Sequence, residues 1–234
     1  MAVSRNRFYK EVSIDEADGL HRVLLDGKAV KTPGGAVLAL PSLALAQAIA
    51  DEWRAQDTTI NPQTMLLTKL ANTAIDRVAP NPAHAREQLL SIAKSDVVCY
   101  RATSPSELVR RQELEWDSIV AWTSEHFGAS LRAENSLTFI EQDQAAMDAL
   151  AAALSKLDAF SLAALYAAAS LCGSLVIALA LAERKLDPDA AFAAANLDRI
   201  YQAERWGWDP QETAKAAVER AELNQISRFL ERLK

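Results

Sequence analysis

The residue types that carry most enzyme chemistry are sparse in this chain. Its 234 residues include three histidines, His21, His84 and His126, and two cysteines, Cys99 and Cys172. No His-Glu-x-x-His, Cys-x-x-Cys, Gly-x-Ser-x-Gly or phosphate loop ending in Gly-Lys-Ser/Thr occurs. The histidines are read as surface or packing residues. The cysteines, far apart in apolar surroundings, are read as small buried hydrophobes in a reducing compartment rather than as nucleophiles or a disulfide. No metal site and no cofactor is expected, and the chain is not expected to be an enzyme.

Three local patterns could still bind something. The glycine-rich run Asp26 to Gly35 holds Lys28 and Lys31 and could receive an anion, but its first reading is a β-hairpin followed by a turn. Asp51, Glu52, Asp57 and Asp76 stand near Arg54, Lys69 and Arg77, which suggests solvated ion pairs more than a pair of catalytic carboxylates. Towards the C-terminus, Asp198, Gln202 and Trp206 recur every four residues before Gly207, which places an acid, an amide and an indole on one helix face. Such a face is either a protein-binding patch or the seam where Trp206 joins the last two helices. Trp53, Trp116 and Trp122 have apolar neighbours at helical spacing and read as core anchors.

The elements that must carry these residues divide unevenly. Phe8 to Ile14 and His21 to Leu25 favour strands, Asp26-Gly27 is a hairpin signal before Lys28 to Lys31, and Thr32 to Gly35 turns the chain into Ala36 to Leu40. From Pro41 onward helical periodicity takes over. Ser42 caps a first helix, a second is predicted over 66–78, and a third starts at Asn81-Pro82. Ser104-Pro105-Ser106-Glu107 opens a longer helix that ends at Gly128, and a short extended segment is read over 131–140. Further helices are predicted over 143–157, 162–183, 188–206 and 210–233, the last two started by Asp187-Pro188 and Asp209-Pro210. The expected class is α+β: a small antiparallel β-rich N-terminal domain, 1–41, packed beside a larger all-helical domain, 42–234. The boundary falls as late as about residue 80 if the first helices pack on the strands.

Composition supports a helical body. Half the residues are hydrophobic, yet aromatics make only 6%, while forty-five are alanine, the best helix former and small enough for close packing. A net charge of -6 argues against binding a nucleic-acid backbone. The N-terminus has no secretory apolar core behind its arginines. The uncharged run Ala159 to Ala182 is long enough to test for a membrane span. Its alanines, serines and glycine dilute it, and a buried or partner-facing helix is expected instead, without integral membrane insertion.

Ordered motifs across about 180 residues resemble the ATP12 family of chaperones. They are Leu25 to Pro33, then Glu52-Trp53-x-x-Gln56, Ile60-x-Pro62-x-x-Met65 and Leu67-Thr68-x-Leu70-Ala71-x-Thr73-Ala74-Ile75-Asp76. Asp96-x-x-Cys99-Tyr100-Arg101, Arg111-Gln112-x-x-x-Trp116-Asp117, Gly173-Ser174 and Gln202-x-x-x-Trp206-Gly207 follow. Asp198 stands where many members carry Glu, and Leu66 where the usual Met-Pro-Leu-Thr run has proline. The resemblance implies a β-rich N-terminal and a helical C-terminal domain. It also implies binding to the α subunit of the F1 portion of ATP synthase, protecting its oligomerisation surface until assembly, without ATP hydrolysis. With no organelle-targeting presequence, the sequence looks like the bacterial form, expected to act in the cytoplasm with transient proximity to the membrane where F1 is assembled. The partner-binding residues expected are Asp198, Gln202 and Trp206, then Trp53 and Asp76. The competing reading is a small-molecule enzyme with a pocket between the β unit and the helices.

Overall fold

Two Asp-Gly turns shape the N-terminal sheet. In the computed structural model, which describes residues 5–135, 139 and 141–234, strand β2 (Val12–Ala17) pairs antiparallel with β3 (Leu20–Leu25), and β3 pairs with β4 (Lys28–Ala29). Asp18-Gly19 and Asp26-Gly27 connect them, all four residues at positive φ, between 47° and 76°. That backbone matches the twist of a two-residue hairpin. The Asp26 turn agrees with its sequence signal. The first hairpin extends beyond the predicted end at Ile14, because Asp15 and Arg22 face each other across it and form a bidentate ion pair. Strand β5 (Ala39–Leu40) pairs with the first half of β3. A separate ribbon joins β1 (Arg5–Asn6) to β6 (Thr59–Ile60), for neither of which the sequence suggested a strand.

Helix α1 (Leu43–Arg54) starts where Ser42 Oγ accepts from Leu45 N at 3.1 Å, as expected for its cap. It lays Leu45, Ala46, Ile49 and Ala50 against β2 and β3. The predicted helix over 66–78 is present as α2 (Leu66–Thr73), which widens into a π turn over Ala74–Val78. These elements belong to a compact unit formed by Met1–Pro82, Asp158–Ala164 and Arg228–Lys234. Its interior holds Val23, Leu38, Leu40, Leu45, Ile49 and Phe229, and the Phe160 and Phe229 rings stack at 6.5 Å.

A second unit comprises Ala83–Leu157 and Leu165–Ser227. Its helices are α3 (Pro82–Ala93), α4 (Ser106–Phe127), α5 (Gln144–Ser155), α6 (Ala159–Cys172), α7 (Leu175–Ala182), α8 (Pro188–Ala195), α9 (Leu197–Trp206) and α10 (Pro210–Glu231), of which α3, α6 and α10 run past its limits. Trp116 is the core anchor its spacing suggested: it is 1% exposed, and its Nε1 donates to Ala194 O at 2.9 Å. Truncating such a side chain to alanine costs about 3–5 kcal/mol. Gly128 ends α4 in the left-handed conformation, φ 72°, as predicted, but the helix begins at Ser106 with Pro105 in the capping position and no side-chain cap.

Two predicted helices are each divided. The uncharged run breaks at Gly173, φ 62°, after which Ser174 Oγ accepts from Ile177 N and starts α7, whose residues Leu175–Leu181 are all buried. Among the described residues no helix is long and apolar enough to cross a membrane. The stretch 188–206 breaks at Asn196, which ends α8 and precedes α9. The extended segment read over 131–140 falls partly on residues 136–138 and 140, outside the described ones. Within the remainder, Glu134 forms a single parallel bridge with Tyr100. The class is α+β, a small antiparallel sheet with a mostly helical remainder.

Candidate functional site

Helix α9 presents the face that its spacing suggested. Asp198, Gln202 and Trp206 are all exposed on it, and Trp206, at 78% exposure, is not a seam between helices. Gly207, φ 85°, ends the helix directly after the indole, and Trp208 is exposed as well. An indole left in water is the large apolar group that a partner gains most by covering.

The face is held from behind by α4. Gln112, 1% exposed, donates from Nε2 to Asp198 Oδ1 at 2.7 Å, while its Oε1 accepts from Ala102 N at 2.7 Å. Arg111 donates to Glu204 at 2.5 Å and to Glu107 at 3.0 Å, and Arg205 donates to the other oxygen of Glu107 at 2.5 Å. Arg205 and Arg111 lie 4.7 and 5.3 Å from the centre of the buried Tyr201 ring. Arg205, with Arg111, holds the Glu107 carboxyl below the usual carboxylate range. Each exposed pair contributes little stability alone, but together they fix α9 on α4 and leave Asp198 Oδ2 without a donor among the described residues. Sequence reasoning missed the roles of Gln112, Arg111 and Glu107. Their motif position was visible, but nothing local marks a contact 86 or 93 residues away.

Trp53 and Asp76 lie in the first unit and line a groove of about 780 Å³. Asp76 is not a solvated ion-pair partner. Its Oδ1 accepts from Thr32 Oγ1 at 2.6 Å and its Oδ2 from Gly34 N at 2.8 Å. The glycine-rich turn does receive an anion, and that anion is the chain's own carboxylate. Glu52 likewise departs from the surface reading. Its two oxygens accept from Leu67 N, Thr68 N and Thr68 Oγ1 at 2.7–2.8 Å, which caps α2 where Met65 offers no side-chain cap. Burial raises the Glu52 pKa against those bonds. Asp51 does pair with Arg54, at 2.7 Å. Trp53 is half-buried at the groove, its ring edge-on to Tyr9 at 5.7 Å, and is not enclosed as a core anchor would be.

The groove wall contains two polar atoms, the Trp53 indole N–H and the Asn72 amide oxygen, that are buried without a hydrogen-bond partner among the described residues. Leaving such a group unpaired costs roughly 1–3 kcal/mol. The lining contains no histidine or cysteine. Among the described residues no cluster of His, Cys, Asp and Glu could hold a metal ion. Cys99 and Cys172 are free and buried, as expected.

Comparison with known proteins agrees with the fold. The family model for the ATP12 chaperone protein matches residues 6–124. The mitochondrial protein atp12 of Schizosaccharomyces pombe is 26% identical over 217 residues, covering 87% of this chain and 74% of that one. The crystal structure of Atp12 from Paracoccus denitrificans is 37% identical, covers 98% of both chains and superposes with a TM-score of 0.92. That of a candidate chaperone from Agrobacterium tumefaciens is 38% identical, covers 99% of this chain and 87% of that one, and has a TM-score of 0.95. A family match over half the chain, joined to near-complete structural correspondence at this identity, establishes that the chain belongs to the ATP12 chaperone family.

Proposed function

We propose that the protein is an assembly chaperone of ATP synthase that binds the α subunit of F1 and covers its oligomerisation surface until assembly. Membership in the family supports the chaperone role. The observation that carries the binding site is the exposed α9 face, where Trp206 projects beside Gln202 and an Asp198 carboxylate held from behind by Gln112.

The physical logic is that of an interface core with a polar rim. Burying an exposed aromatic side chain contributes about 1.5–3 kcal/mol, and the acid and amide beside it select for a partner that supplies matching donors. A partner without a donor for Asp198 would bury an unpaired charge, which is costly. The α4 scaffold keeps these groups in place before contact, so less ordering entropy is lost on binding. Such a complex keeps the α subunit from aggregating and from pairing wrongly, and the correct neighbour displaces the chaperone by competing for the covered surface.

The test mixes the purified protein with folded α and β subunits of F1 separately and follows complex formation by light scattering. A complex with α and none with β is expected; failure to bind α sinks the reading. In parallel, Asp198→Lys is compared with Asp18→Lys at the hairpin tip of the other unit. Only the first is expected to weaken α binding, by about tenfold or more.

A further inference from the structure

The groove of the first unit has a consistent chemistry that the α9 face does not share. Ile60, Pro62, Met65 and Pro33 give it an apolar surface. Lys31, Lys69 and Arg77 stand around it, all exposed, and none forms an ion pair among the described residues. Its single carboxylate, Asp76, is already engaged by Thr32 and Gly34. The groove therefore sets three cations against one carboxylate, a net positive charge beside an apolar surface, on a chain whose net charge is -6.

The wall adds a second, independent feature. The Trp53 indole N–H is a donor without an acceptor, and the Asn72 amide oxygen an acceptor without a donor. A peptide group carries both complements, a carbonyl and an N–H. In a helical partner those groups are consumed internally, whereas an extended segment presents them outward. A small phosphate-like anion fits less well: the Gly34 N–H that would greet it already donates to Asp76, and Gly35 N donates to Thr32 O at 2.9 Å.

We propose that this groove is a docking site for an extended, acidic segment of a partner polypeptide. In that complex an apolar side chain lies on Met65 and Ile60, flanking carboxylates face Lys31, Lys69 and Arg77, and the segment's backbone meets Trp53 and Asn72 after a small shift of the wall. Asp76 is then a positioning residue, since it holds the turn that carries Lys31 and Pro33 against the groove. The inference goes beyond the α9 reading and does not require the partner to be the α subunit.

The probe is the blocked peptide acetyl-Ala-Asp-Leu-Ile-Glu-Ala-amide, titrated into the full-length ¹⁵N-labelled protein. Its counterpart carries lysine in place of both acids. The acidic peptide should move the Trp53 indole N–H resonance, assigned with Trp53→Phe, with a Kd on the order of 100 μM at low salt. The lysine peptide should bind about tenfold or more weakly. The double reversal Lys31→Glu, Lys69→Glu alters two exposed side chains, so it should fold normally, and it should invert the preference. Asp198→Lys should leave peptide binding unchanged. No binding near 1 mM, equal binding of both peptides, or shifts confined to the second unit would each overturn the proposal. None of these results would affect the α9 reading, which is tested with the α subunit.

Discussion

Gln112 Nε2 donates to Asp198 Oδ1 over 2.7 Å, so a nearly inaccessible amide on α4 aims the exposed carboxylate of α9. The same amide accepts from Ala102 N, and its backbone carbonyl accepts from Arg101 Nη1 at 3.0 Å. Position and charge of Asp198 can therefore be separated. Asp198→Asn retains an acceptor for Gln112, so its unfolding free energy in urea should stay within about 0.5 kcal/mol of the wild type, while α binding weakens with loss of the charge. Gln112→Leu takes the acceptor from the half-buried Ala102 N and the donor from Asp198, which water can replace, and should cost about 1–2 kcal/mol. Equal destabilisation by the two changes would mean that the pair does not work as described.

A second relationship ties a turn to a helix. A Cβ built on Gly34 would lie 2.7 Å from Asp76 Oδ1 and 2.8 Å from its Cγ, and Gly34 has no positive φ to complicate the comparison. Gly34→Ala should therefore destabilise by about 1–3 kcal/mol through overpacking alone. Asp76→Ala loses the bonds to Thr32 and Gly34 but removes the obstacle. The double variant should fall short of the summed effects by about 1 kcal/mol in a urea double-mutant cycle. Additive effects would show that the clash is relieved elsewhere.

These two relationships also mark where sequence reasoning stops. Elements specified by neighbours in the chain were legible. Ser42 caps α1, Asp187 Oδ1 accepts from Ala190 N at 2.8 Å, Asp209 Oδ1 accepts from Gln211 N at 2.7 Å, and Asp26-Gly27 makes its hairpin. The Asp198, Gln202 and Trp206 face was legible too, because a helix repeats every 3.6 residues and all three point outward. Pairings across the chain were not. Asp76 and Glu52 look like surface acids among surface bases until the fold brings Gly34 and Leu67 to them. Gly173 interrupts a run whose composition is uniformly helical, and the interruption makes sense only once Asp96 is seen at the start of α7.

The two thiols give a prediction about the folded state. Burial, with the nearby Asp96 carboxylate adding to it, pushes both Cys99 and Cys172 up to about 12. At pH 8 about one thiol in ten thousand would be ionised at such a value, and the packing around both excludes reagents. Ellman's reagent should therefore modify neither cysteine in native buffer within the time that it modifies both in urea. Rapid labelling of either without denaturant would contradict the burial described.

Asp96 makes stability depend on pH in an unusual direction. It is completely buried, yet Val176 N donates to its Oδ2 at 3.2 Å and Val98 N to its Oδ1 at 3.3 Å. Desolvation outweighs these bonds and the Ser174 hydroxyl, raising its pKa to about 6 from an ordinary value of 3.8. Between those values the folded state holds a proton that the unfolded chain has lost, so stability falls as pH rises. The contribution is complete below about pH 4 and lost as pH passes through 6, on the order of 3 kcal/mol in total. Asp96→Asn keeps one acceptor and has nothing to ionise. Urea unfolding of both proteins should show the variant gaining on the wild type from pH 4 to about pH 7 and levelling off above it. A stability difference that stays flat with pH, or that grows in favour of the wild type, would mean that the helix N-terminus and its hydrogen bonds hold Asp96 ionised throughout.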